Sequence, residues 1–244
     1  MGLSPIVDAD YDSMSRRAAE LIVGALRVRP DLLLCTATGS SPTRTYDLLA
    51  QQYPSEPQLF SRLRLVKLDE WGGLPPEDPG TCETYLRRHL TGPLNILPDR
   101  YHTFRGDAPD PEAECRNIER ALENHGPLHL CVLGLGVNGH LGFNEPADAL
   151  HPGPHVAPLT EQSLAHPMVR HARGRVRYGL TLGMGDILRA EKILLLVNGP
   201  HKREPLLRML TPQVSTRFPA SFLWLHPDVT VLCDAEASDG HVPE

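Results

Sequence analysis

Short apolar runs alternate with stretches of helical period along this chain. Residues 32–37, 63–68, 128–134, 178–182, 193–198 and 229–233 read as strands. Several are apolar at nearly every position, the pattern of strands covered on both faces. Between and around them, 11–28, 42–52, 81–90, 111–124 and 202–210 carry apolar residues at the spacing of one helix face. Strand and helix in alternation predict an α/β fold: a doubly wound, mainly parallel sheet with helices on both faces, Rossmann-like in plan. No linker, fixed-period repeat or low-complexity tract interrupts it, so a single domain over 1–244 is expected. Such sheets bind ligands beyond the carboxyl ends of their strands. The loops that matter therefore follow Ala37, Leu68, Gly134 and Asn198. The polar stretch 147–177 has weak periodicity and reads as a flap over that edge.

Composition narrows the function. With 244 residues, 41% of them hydrophobic, the chain can bury a substantial core. A formal net charge of -6 argues against a nucleic-acid binder. No apolar run approaches the roughly 18 residues that cross a bilayer, so no membrane partner is expected. The first residues lack the basic-then-apolar order of a secretory signal. The five cysteines form no C-x-x-C pair, and Cys35, Cys131 and Cys233 sit inside apolar runs, as small buried hydrophobes do. A reducing, cytoplasmic setting fits, and a cysteine metal site does not. The lysines are Lys67, Lys192 and Lys202, so one in a loop stands out. Composition leaves the oligomeric state open, a homo-oligomer included.

Four loops carry candidate chemistry. After the first apolar run come Thr38, Gly39, Ser40 and Ser41, with Pro42 where a helix begins. Free N–H groups at such a start favour an anion, although Ser before Pro is also an ordinary helix cap. Lys202 follows the turn Gly199-Pro200 and is either a solvated cation or a second grip on that anion. After the second run, Asp69 and Glu70 precede Trp71. They cap a turn or present a carboxylate that moves a proton between neighbouring carbons. The third loop reads Gly134-Leu135-Gly136-Val137-Asn138-Gly139-His140, with Asn144 and Glu145 following. Its glycines, Gly136 among them, let backbone approach a ligand closely. His140 suits proton transfer at neutral pH, and Glu145 suits holding its tautomer.

These segments together resemble the glucosamine-6-phosphate deaminase family. The shared patterns are TATGSSPTRTY, KLDEW, LGLGVNGHLGFNEP, LTLGMGDIL and VSTRFPASFLWLH, in family order over about the whole chain. Within it, KLDEW followed by PGTCETY, NGHLGFNEP and PASFLWLH are closest to galactosamine-6-phosphate deaminase/isomerase. The resemblance implies a proton-shuttling role for Asp69, ring opening by His140 and a carboxylate partner in Glu145. It implies a phosphate loop in Thr38 to Ser41 and a phosphate lysine in Lys202. A phosphorylated amino sugar is the implied partner, and no metal or organic cofactor is implied.

The chain departs from the family at three places. Asn138 replaces an aspartate of the glucosamine branch, which implies galactosamine 6-phosphate as substrate and tagatose 6-phosphate and ammonia as products. The family's phosphate arginine has no clean match; His166, Arg170 and Arg173 are the candidates. Asp148, His155 and Ala157 stand where hexameric relatives carry an allosteric site and lack the basic character an anionic effector requires. Three alternatives are kept: a glucosamine-6-phosphate deaminase, a 6-phosphogluconolactonase related in fold, and a non-catalytic sugar-phosphate-binding module. The lactonase would release no ammonia, and a sensor has no need of Asp69, His140 and Glu145 together.

Overall fold

The computed structural model describes residues 2–172 and 174–238. Among the described residues, ten strands follow one another: β1 (Pro5–Asp8), β2 (Leu33–Thr36), β3 (Arg64–Lys67), β4 (Asp69–Gly72), β5 (Tyr101–His102), β6 (Leu130–Gly134), β7 (His155–Ala157), β8 (Tyr178–Thr181), β9 (Ile193–Val197) and β10 (Val229–Asp234). Seven of them form one sheet in the order β1-β10-β9-β6-β2-β3-β5, every neighbouring pair parallel. The helices are α1 (Tyr11–Val28), α2 (Ser40–Gln52), α3 (Cys82–Leu86), α4 (Pro111–His125), α5 (Glu161–Leu164), α6 (Met184–Leu188), α7 (Arg203–Leu210) and α8 (Ala235–Ser238).

Side-chain alternation builds a core on each face of the sheet. Cys35, Cys131, Leu133, Leu195 and Val197 enter one core with Ile118 of α4 and Met209 of α7. Leu34, Val132, Leu194 and Leu196 enter the other, with Met14, Ala18, Ile22 and Leu26 of α1 and Leu49 of α2. Helix α1 runs over the expected 11–28; Asp10 caps it by accepting from Ser13 N–H at 2.7 Å. The chain leaves β2 for β3 and β5 on one side, then crosses back to β6, β9 and β10 on the other. The crossover point lies between β2 and β6, where an open α/β sheet leaves its ligand crevice.

The structure revises several local expectations. Residues 178–182 do form a strand, but β8 belongs to a separate antiparallel sheet, β4-β8-β7, and not to the parallel one. Asp69 and Glu70 are likewise the first residues of a strand rather than a turn. Leu68 is the pivot: its N–H donates to Thr36 O, and Leu182 N–H donates to its carbonyl. The chain thus leaves the large sheet for the small one at the residue before Asp69. Neither pairing is visible locally, because a short apolar run looks alike in both sheets. The helix expected over 81–90 is α-helical only to Leu86 and continues as a wider π turn over Arg87–Thr91. The short strands β1 and β5 have no periodicity to detect.

Candidate active site

A cavity of about 430 Å³ opens at the crossover. Its walls include Thr38, Gly39, Ser40, Ser41, Asp69, Gly136, His140 and Lys202 of the sequence-derived set. Asn138 and Glu145 stand behind His140.

Helix α2 begins at Ser40, two residues before the Pro42 start the sequence suggested. Gly39 is its cap residue at φ +107°, a conformation that favours glycine. The outward carbonyls of this loop are occupied: Tyr85 OH donates to Gly39 O at 2.9 Å, and Tyr11 OH donates to Ser40 O. Ser41 Oγ donates to Asn198 Oδ1 at 2.6 Å and ties the loop to the end of β9. Beyond Asn198, both carboxylate oxygens of buried Asp234 accept from Gly199 N–H at 3.0 Å. That bond fixes the turn from which Lys202 projects. Lys202 is half-buried; its backbone N–H donates to Gly199 O at 3.0 Å, but its ammonium has no hydrogen bond or ion pair among the described residues, and burial lowers its pKa. An unpaired, partly desolvated ammonium beside a helix start is suited to an anion.

Asp69 is half-buried at the head of β4. Burial first, and the neighbouring Glu70 carboxylate next, push its pKa to about 7, against the pull of His140, Lys67 and Cys82. Glu70 has a different task. It is 1% exposed and accepts from the N–H groups of Trp71, Cys82 and Glu83 at 2.8–2.9 Å. Its charge is met by fully buried Lys67, whose Nζ lies 2.7 Å from Glu70 and 3.0 Å from Glu83. Two adjacent carboxylates therefore serve a site and a scaffold respectively. Trp71 walls the cavity, its ring 4.5 Å from that of Phe143 at an edge-on 62°.

His140 emerges from the glycine loop as expected. Its ring lies so close to Gly136 that a Cβ there would stand 2.5 Å from it. Its Nδ1 is 3.6 Å from Glu145 Oε2, just outside hydrogen-bond distance. Burial tends to raise the pKa of Glu145, but His140, Ser163 and Asn138 outweigh it and hold it near 2. Asn138 bridges the pair: Nδ2 donates to Glu145 Oε2 at 2.8 Å, and Oδ1 accepts from His140 N–H at 3.1 Å. Asn144 is structural, its amide donating to the carbonyls of Leu141 and Leu182 at 2.9 Å.

The stretch 147–177 contributes Ser163, Ala165, His166, Pro167 and Met168 to the wall. It packs through a small core of its own, in which Leu159, Leu164 and Val169 meet Trp71 and Phe143. His166 reaches the cavity; Arg170 is exposed and does not, and Arg173 lies outside the described residues. Met168 N–H donates to His166 Nδ1 at 3.3 Å, which leaves the ring proton on Nε2. Burial first, then the neighbouring His140 and Lys202, lower its pKa. Asp148 is exposed and pairs with Arg217, while His155 and Ala157 lie in β7. Sequence inspection missed Cys82, Ser163, Asn198 and Asp234. Their neighbours in the site are up to 157 residues away, as with Ser41 and Asn198, and no local signal marks them.

The fold and this site define a doubly wound α/β enzyme in which a carboxylate, an imidazole, a helix-start loop and a lysine share one cavity. The chain belongs to the family of glucosamine-6-phosphate isomerases/6-phosphogluconolactonase, whose model matches residues 8–232. AgaI of Escherichia coli strain K12, a proposed deaminase, is 43% identical over 91% of this chain and 88% of its own. A glucosamine-6-phosphate deaminase of Thermoanaerobacter pseudethanolicus is 36% identical over 96% of this chain and 93% of its own. A solved monomeric glucosamine-6-phosphate deaminase superposes with a TM-score of 0.92 at 34% identity, covering 98% of this chain and all of that one (100%). The 6-phosphogluconolactonase of Trypanosoma brucei shares the fold, with a TM-score of 0.77 at 20% identity over 98% of each chain. No described helix is long and apolar enough to cross a membrane.

Proposed function

We propose that this protein is a deaminating aldose–ketose isomerase that converts galactosamine 6-phosphate and water to tagatose 6-phosphate and ammonia. The observation that carries the reading is the meeting of Asp69, His140 and the free Lys202 on one cavity at the crossover of the sheet. Asp69 has a pKa of about 7, which suits a group that must both take and return a proton near neutrality.

The phosphate binds at the N–H groups of the α2 start, the hydroxyls of Thr38, Ser40 and Ser41, and Lys202. His166 takes the place of the family's arginine and offers its Nε2–H to the same anion. His140 then opens the pyranose, moving a proton from the C1 hydroxyl to the ring oxygen. Glu145 orients it, with Asn138 fixing the spacing of the two. Asp69 removes the C2 proton of the open aldose, and the electron pair forms the C1–C2 enolamine as the C1 oxygen is protonated. Asp69 returns its proton to C1, leaving an imine at C2. Water adds to that carbon, the carbon–nitrogen bond breaks, and ammonia departs from the new ketone. No step requires a redox change.

Preference for the galacto epimer rests on Asn138 and on the sequence patterns KLDEW, PGTCETY, NGHLGFNEP and PASFLWLH. The test is ammonia release from galactosamine 6-phosphate and glucosamine 6-phosphate under identical conditions. Faster release from the galacto substrate is expected. Preference for the gluco epimer sinks the specificity claim, and ammonia from neither sinks the assignment.

A further inference from the structure

Cys82 is the cysteine that lines the cavity; Cys35, Cys115, Cys131 and Cys233 are packed in the core beside the central sheet. It belongs to the PGTCETY segment, and the chemistry above gives it no role. Its backbone is anchored independently of its side chain. Thr81 caps α3 by accepting from Thr84 N–H at 3.1 Å, and Glu70 accepts from Cys82 N–H at 2.9 Å. The residue is 1% exposed. From this fixed point the thiol has two polar neighbours. Thr38 Oγ1 donates to Sγ at 3.3 Å, and Sγ donates to Asp69 Oδ1 at 3.8 Å.

Burial first, and the charges of Glu70 and Asp69 next, raise the thiol well above its ordinary range. It is therefore a hydrogen-bond donor and not a thiolate nucleophile. The other titratable groups acting on Asp69 are Glu70, which raises its pKa, and His140 and Lys67, which lower it. Cys35 and Tyr46 lie behind it and stay neutral, each held well above its ordinary pKa chiefly by burial. Across the cavity, the position of a Cβ on Gly142 is 3.6 Å from Asp69 Oδ2. Of these, Cys82 is the neighbour that donates a hydrogen bond to Oδ1.

We propose that Cys82 is a positioning residue, whose thiol holds the Asp69 carboxylate in place and links it to the phosphate loop through Thr38. The proposal rests on Asp69 being the base. A donor to the ionised carboxylate favours that form and sets the lower end of the working pH range.

The experiment is kcat/KM against pH from 5.5 to 9 for wild type, Cys82→Ala, Cys82→Ser and Asp69→Asn, with thermal midpoints and inhibition by inorganic phosphate. Cys82→Ala is expected to move the acid limb upward by roughly 0.5 to 1 pH unit, less than a strong charge-assisted hydrogen bond would give because a thiol is a weak donor. Cys82→Ser keeps a donor and is expected to hold the limb at or below its wild-type position. Inhibition by phosphate is expected to change little in either. A limb unmoved in Cys82→Ala, or moved equally in Cys82→Ser, overturns the proposal. So does a loss of stability with no movement of the limb. Should Cys82→Ala fail to fold, Cys82→Val takes its place with the same expectation. Substantial turnover by Asp69→Asn would overturn the base assignment itself. An inactive Asp69→Asn beside an unmoved limb defeats Cys82 alone.

Discussion

At the scale of single residues, Asp69 is placed against stability. Its folded pKa of about 7 lies above the ordinary 3.8, so the folded chain holds this proton more tightly than the unfolded one. The stability it contributes is present below the unfolded value and is lost as pH rises through the folded one. Asp69→Asn should therefore melt higher than wild type at pH 8 and alike at pH 3.5. Each kcal/mol recovered is worth roughly 2–4 °C in a chain of this size. The same variant should lose about 10²–10⁴-fold in kcat while phosphate still inhibits. Calorimetry at the two pH values and an ammonia assay check both halves. A rise in stability with activity intact would separate Asp69 from the chemistry.

Lys202 and His166 make different claims on the anion. Lys202→Ala removes a charge-assisted contact worth about 1.5–3 kcal/mol, so KM should rise about 10- to 100-fold with kcat little changed. His166 contributes a neutral donor, worth less, and it also accepts from Met168 N–H. His166→Asn keeps that acceptor and loses the donor at the Nε2 position; KM should rise about 2- to 10-fold. His166→Gln restores a donor there and should return KM toward wild type. Equal KM in all three proteins would remove His166 from the anion site. Cys82, by contrast, is silent in the sequence because its role depends on the companions that folding brings to it.

At the scale of elements, one tie holds the 147–177 stretch to the loop after β4. Asp78, 7% exposed, lies 2.9 Å from His171 Nε2 and 2.7 Å from Arg175. Burial would raise its pKa, but Gly80 N–H, His171 and Arg175 outweigh this and hold it low. Asp78→Ala cuts the tie without touching the cavity wall. The expected outcome is faster limited proteolysis between 159 and 176 and a several-fold rise in KM, since His166 hangs from the same segment. Unchanged proteolysis would show that the small core around Trp71 holds the segment unaided. Gly139 illustrates a different constraint. It adopts φ +86°, and a Cβ there would stand 2.3 Å from the Phe218 ring. The glycine loop that presents His140 is thus braced by a residue almost eighty positions later.

At the scale of the whole molecule, the site exists because the sheet reverses its direction of growth between β2 and β6. Both strands end in glycine-bearing loops, and the reversal leaves those loops on either side of a crevice. The second sheet closes one flank by carrying Asp69 and Trp71 on β4. The parallel strands β2, β3, β6, β9 and β10, the long helices α1 and α4, and the loops with unusual chemistry were legible in the sequence. Apolar runs, helical period and glycine placement are local properties, and each is imposed by backbone geometry within a few residues. The pairing of β4 with β8, the division of labour between Asp69 and Glu70, and the reach of His166 and Cys82 into the cavity were decided by tertiary structure. Glu70 and Asp69 are chemically near-identical neighbours. Strand alternation turns one toward the Lys67 cation and the start of α3 and the other toward the cavity, and only the folded surroundings give them opposite work.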